Sequence, residues 1–110
     1  MASNTISIKE IKEKTRPIFE LYPVSKAILF GSYSKGHANM SSDIDLYIDT
    51  NGKLKGLDFV ELIEILVNTL GIDVDLIDKT HLEPNSLIIQ EIENGGIILY
   101  EKSKNYIEDN

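Results

Sequence analysis

Asp43 and Asp45 are separated by one apolar residue, and Asp73 and Asp75 repeat the arrangement further along the chain. Aspartate is depleted in strands, yet both pairs lie in alternating runs. Ile44, Leu46 and Ile48 alternate with Asp43, Asp45, Tyr47 and Asp49, and Ile72, Val74 and Leu76 alternate with Asp73 and Asp75. Residues two apart on a strand share a face, about 6.6 Å apart, so each pair projects together. If the two strands are neighbours, the carboxylates gather on one face and repel one another unless a cation sits among them. Hard divalent cations with oxygen ligands suit such a group. A single Asp-x-Asp reads more readily as the solvated face of a half-exposed sheet; the doubling shifts the balance towards a cation. A calcium EF-hand is excluded, because its loop needs Gly at the sixth position and Glu at the twelfth. Counted from Asp43, those positions hold Ile48 and Leu54.

Upstream, Gly31-Ser32 follows the short apolar run Ala27-Ile28-Leu29-Phe30 and opens a polar stretch, residues 31–42, that contains Gly36. Glycine lets a backbone come close to a ligand, and a following helical turn aims N–H groups at an anion. The spacing from Gly31 to Gly36 is not G-x-G-x-x-G and no G-K-[ST] occurs, which argues against the dinucleotide and P-loop readings. Alone, Gly-Ser marks no more than a turn.

Taken together, Gly31-Ser32-Tyr33-Ser34-Lys35-Gly36 and Ser42-Asp43-Ile44-Asp45-Leu46 resemble the signature of the nucleotidyltransferase family related to DNA polymerase β. Val74-Asp75-Leu76 resembles that family's third carboxylate strand, and residues 93–100 resemble the closing turn and strand of its minimal members. Tyr33-Ser34-Lys35 departs from the more basic, alanine-containing stretch of many relatives, with Lys35 keeping one positive charge. The resemblance implies that Asp43, Asp45 and Asp75 are catalytic and hold two Mg²⁺ ions, with Asp75 also positioning or deprotonating the attacking hydroxyl. It implies that Gly31 and Ser32, with Asp43 and Asp45, bind a nucleoside triphosphate, ATP being the expected substrate. Minimal members often pair with a HEPN-domain toxin, so the implied acceptor is a hydroxyl of such a partner, modified with AMP. A non-catalytic antitoxin that neutralises its partner by contact is the alternative; a small-molecule acceptor fits less well, because no substrate-binding lobe is evident.

The remaining candidates are weaker. Asp73 shares a face with Asp75 but falls outside the signature and reads as solvated; Asp49 and Asp78 read as strand-end charges. Tyr33 and Tyr47 could stack on a base, although tyrosines beside strands more often pack. His37 and His81 are isolated and are given no chemical role.

The elements that must position these residues follow from periodicity. Ser7 and Glu10 have capping-box spacing ahead of an apolar stripe through Ile8, Ile11, Ile18, Phe19 and Tyr22. This predicts a first helix, with a kink or break near residues 13–17 because of Pro17. Residues 26–30 and 43–49 read as strands. Asp58 and Glu61 repeat the capping spacing before a stripe through Phe59, Leu62, Ile63, Leu66, Val67 and Leu70 that Gly71 stops. Residues 72–76 read as a strand, Thr80 and Glu83 as a third capping box ahead of a short helix through Ile92 with Pro84 early in it, and residues 97–100 as the last strand. The order, helix, strand, loop, strand, helix, strand, helix, strand, is that of an α/β (α+β) fold with a mixed β-sheet flanked by helices.

With 110 residues, one minimal nucleotidyltransferase domain spanning 1–110 is expected. Eighteen acidic against 11 basic residues give a net charge of −7, which offers no general attraction for nucleic acid. There is no cysteine, so disulfides and thiolate metal sites are excluded. The first residues lack a signal-peptide core, and no apolar run approaches the roughly eighteen residues of a membrane span. A soluble, cytoplasmic protein is expected.

Overall fold

Ser7 starts the first helix, α1 (Ile8–Leu21), by accepting the Glu10 N–H on its hydroxyl at 3.0 Å. The structure, a computed structural model, describes residues 6–31, 33–34 and 43–102. Of the kink or break expected near residues 13–17, the break does not occur: α1 runs as one 14-residue element with Pro17 inside it. Pro17 lies on the exposed side, whereas Ile18 and Phe19 beyond it are buried. An interior proline costs roughly 3 kcal/mol, and two buried side chains of this size return about 1.5–3 kcal/mol each. Packing therefore outweighs the lost hydrogen bond.

The chain then forms β1 (Lys26–Phe30), β2 (Ile44–Asp49), α2 (Leu57–Leu70), β3 (Val74–Asp78), a 3₁₀ turn (Lys79–His81), α3 (Leu87–Gly95) and β4 (Ile97–Glu101). Two expected helix starts are corrected. The N-cap of α2 is Gly56, and Asp58 lies inside the first turn, where its charge favours the helix N-terminus. Thr80 belongs to the 3₁₀ turn and Pro84 precedes α3, whose N-cap is Ser86, accepting the Ile89 N–H at 3.2 Å. A better cap thus lay closer to the apolar stripe.

The strands form one mixed sheet in the order β3-β2-β1-β4. β1 pairs antiparallel with β2 and β4, while β2 and β3 run parallel. Alternation divides the sheet into two faces. Ala27, Leu29, Ile44, Leu46, Ile48, Val74 and Leu76 pack with α1 and α2 through Ile11, Phe19, Leu62 and Leu66. On the opposite face, Ile28, Phe30 and Tyr47 pack with Ile92 of α3. Gly96 brings α3 close to β1: a Cβ there would lie 2.6 Å from Ile28 Cγ2 and 2.7 Å from the Ile92 carbonyl oxygen. Among the described residues, no helix is long and apolar enough to cross a membrane.

Candidate active site

The face that carries α3 also carries the carboxylates. In the parallel register Asp45 stands directly opposite Asp75, and on its other side Asp45 is opposite Phe30 of β1. The sequence could place each Asp-x-Asp on one face of its own strand. Only the β2–β3 pairing makes Asp45 and Asp75 neighbours. Ile44 N–H donates to the Asp73 carbonyl at 2.9 Å, which ties the two strand entrances together.

Gly31 ends β1 with φ +76°, a conformation that side chains resist. Its missing side chain is also required sterically, since a Cβ would collide with Asp45 Oδ2 and lie 3.1 Å from Cγ. The glycine therefore lets backbone approach a carboxylate, and with it whatever that carboxylate holds. Ser34 Oγ donates to the Gly31 carbonyl at 3.0 Å, tightening the turn. Ser32, Lys35, Gly36, His37 and Ser42 lie outside the described residues.

Electrostatics sets Asp45 apart. Burial first, then the charge of Asp75, a hydrogen bond with it, and the charges of Asp43 and Glu91 push its carboxyl up to about 6. Each contribution disfavours the ionised form. Asp43 is exposed and sits one residue ahead of β2, close enough for its charge to act on Asp45. Asp75 is exposed, as is Asp73, in keeping with the solvated role expected for the latter. Among the described residues, no three His, Cys, Asp or Glu side chains stand together as a ready-made metal cage. Mg²⁺ does not require one, because it commonly takes one or two carboxylates plus substrate phosphates. Asp45, whose carboxyl resists ionisation, with Asp75 opposite it and Asp43 beside it, is a donor set of that kind.

The other candidates resolve differently. Tyr33 is buried in the core beneath α1 and α2, away from the carboxylate face, so it is packing and not a base platform. Tyr47 lies on the carboxylate face but is buried under α3, where it lines a cavity of about 450 Å³ with Ile28, Ile89, Ile92, Lys26 and Lys79. A second cavity of about 460 Å³ lies between α1 and β4. Asp45 and Asp75 line neither. His81 stacks edge-on against Phe59 and accepts the Asp78 N–H on Nδ1. Asp49 behaves as a strand-end charge, 3.7 Å from Lys79 Nζ. Asp78 does not: it is fully buried and accepts the Thr50 hydroxyl at 2.6 Å. Its position on the apolar face, two residues after Leu76, was the available signal. Glu91 was also missed, because nothing in the sequence says which face α3 covers.

A family profile described as Polymerase beta, Nucleotidyltransferase matches residues 13–105. Over 89 residues the chain is 39% identical to a Methanocaldococcus jannaschii protein provisionally named a protein adenylyltransferase, covering 78% of this chain and 88% of that one. It is 36% identical over 75 residues to the protein adenylyltransferase MntA of Thermococcus cleftensis, covering 68% and 69%. Among solved structures, it is similar to a crystal structure of a toxin–antitoxin with AMP-PNP, with a TM-score of 0.72, 27% identity, and coverage of 83% of this chain and 73% of that one.

Proposed function

Because the chain belongs to the polymerase beta nucleotidyltransferase family, we propose that it transfers AMP from ATP to a hydroxyl group of a partner protein, as the antitoxin of a HEPN-type toxin–antitoxin pair. The observation that carries this reading is the Asp45–Asp75 pair, side by side on β2 and β3, with Gly31 backbone against Asp45. The names of the two relatives and the toxin–antitoxin with AMP-PNP support the choice of adenylyl group and of a protein acceptor.

In the reaction the acceptor oxygen attacks the α-phosphorus, the bond to the β-phosphate oxygen breaks, and pyrophosphate leaves. When bound, two Mg²⁺ ions neutralise charge on the attacking and leaving oxygens. Asp43, Asp45 and Asp75 are the residues that would hold them. Asp75, exposed on the edge strand, would orient the incoming hydroxyl and take its proton. Gly31 leaves room for phosphate against the backbone, and Ser32 contributes a hydroxyl to the departing pyrophosphate. A docked macromolecule as acceptor would supply the proximity the chemistry needs, in keeping with the toxin–antitoxin with AMP-PNP among the similar structures.

The test combines this protein, its purified toxin partner, ATP and Mg²⁺, followed by intact mass of the partner. Mass gains in whole AMP units, lost with Asp43→Asn, are expected. Neutralisation of the toxin by Asp43→Asn with no mass change would make the protein an antitoxin that acts by contact.

A further inference from the structure

The apolar pattern decides which face each carboxylate joins, but it leaves the sliding position of β3 along β2 open. Ile44, Leu46 and Ile48 stand opposite Val74, Leu76 and Asp78. A slide of two residues would keep every side chain on its face, yet it would carry Asp75 about 6.6 Å away from Asp45. The two Asp-x-Asp motifs would still partly overlap, so the motif itself does not select the register. Among the described residues, β3 is an edge strand paired only with β2, and the pairing is parallel, the slightly weaker kind. Like charges placed directly opposite one another also work against the native alignment.

Thr50 and Asp78 stand where that ambiguity can be removed. Both are fully buried. Thr50 Oγ1 donates to Asp78 Oδ2 at 2.6 Å, the short length of a hydroxyl on a carboxylate. Asp78 Oδ1 accepts the Thr80 N–H at 3.3 Å, and the Asp78 N–H donates to His81 Nδ1 at 3.2 Å. Thr50 lies two residues beyond Ile48, the register partner of Asp78, so the bond crosses the strand ends diagonally. A slide in either direction would strand a buried carboxylate without its hydroxyl, which is strongly unfavourable. An apolar pair could fill the same space but would tolerate the slide.

We infer that Thr50 and Asp78 are positioning residues that hold Asp75 opposite Asp45, so that metal and nucleotide binding depends on a pair that touches neither. The inference rests on the Asp45–Asp75 site proposed above. The decisive variant is Thr50→Val with Asp78→Val, which removes the bond without leaving an unpaired carboxylate. The readouts are melting temperature and the Mg²⁺ concentration giving half-maximal binding of a fluorescent ATP analogue to the folded protein. The double variant should fold and need about tenfold more Mg²⁺, the low end of what losing a supporting residue costs a metal site. Thr50→Ser, which keeps the hydroxyl, should match the wild type. If the double variant does not fold, Thr50→Val with Asp78→Asn, which removes the charge and keeps an oxygen able to accept the Thr80 N–H, gives the same reading. An unchanged Mg²⁺ midpoint in a folded variant, whatever its melting temperature, overturns the inference and leaves the site intact. Wild-type binding that ignores Mg²⁺ or survives Asp45→Asn overturns both.

Discussion

Replacing Asp45 by asparagine should make the metal-free protein more stable at pH 8 and abolish its response to nucleotide. The carboxyl is raised from 3.8 to about 6, by burial first and then by Asp75, Asp43 and Glu91. Between those pH values the folded state binds more protons than the unfolded chain, so stability falls as pH rises through the window and the full penalty applies above it. For a shielded carboxyl that displacement corresponds to about 3 kcal/mol. Asp45 is only half-buried, and solvent screening leaves about 1–2 kcal/mol. Asparagine keeps the shape and removes the charge. In a domain of this size, 1 kcal/mol moves Tm by about 5 °C, so Asp45→Asn should melt about 5–10 °C above the wild type at pH 8 and together with it below pH 4. The assay is thermal melting of both proteins in EDTA across that range, reading the difference between them, so that contributions from charges remote from Asp45 cancel. With Mg²⁺ and ATP at about a hundred times Kd, the wild type gains about 2.7 kcal/mol and the order of the two proteins reverses. A Tm difference that is flat with pH, or a variant less stable at pH 8, would refute the reasoning.

Gly31→Ala should cost about 1–2 kcal/mol from its left-handed φ and, by pushing Asp45 aside, remove Mg²⁺-dependent ATP binding; calorimetric titration checks the second effect. Gly96→Ala has an ordinary φ, and its cost comes from contact with Ile28 and the Ile92 carbonyl. It should destabilise by about 1–3 kcal/mol in urea unfolding, with hydrogen exchange rising in α3 before the α1–α2 side. Ser32→Ala should slow AMP transfer by on the order of 10²-fold while leaving the urea midpoint unchanged; wild-type turnover in single-cycle assays would reduce Ser32 to a turn residue.

Local pattern determined a good deal by itself. Alternation in residues 43–49 placed Asp45 and Tyr47 on one face and the apolar residues on the other, because side chains on a strand have a period of two. The helical stripe of α2 and its stop at Gly71 were legible for the same kind of reason, and Gly71 N–H does donate to the Val67 carbonyl at 2.8 Å. The spacing of Gly31-Ser32 to Asp43-x-Asp45 was enough to suggest the family. What needed the folded chain was everything that depends on contacts between distant segments. A break at Pro17 was among the expectations because the proline's penalty is local, whereas the burial of Ile18 and Phe19 that keeps the helix continuous is not. Asp78 was misread because a strand-end aspartate looks solvated until Thr50, 28 positions earlier, is found donating to it. The raised carboxyl of Asp45 likewise belongs to no single segment: it arises where β2 meets β3 and α3 closes over the same face. Sequence periodicity fixes directions along one element. Proximity between elements, and hence charge, burial and register at the site, is settled only when the sheet and its helices pack.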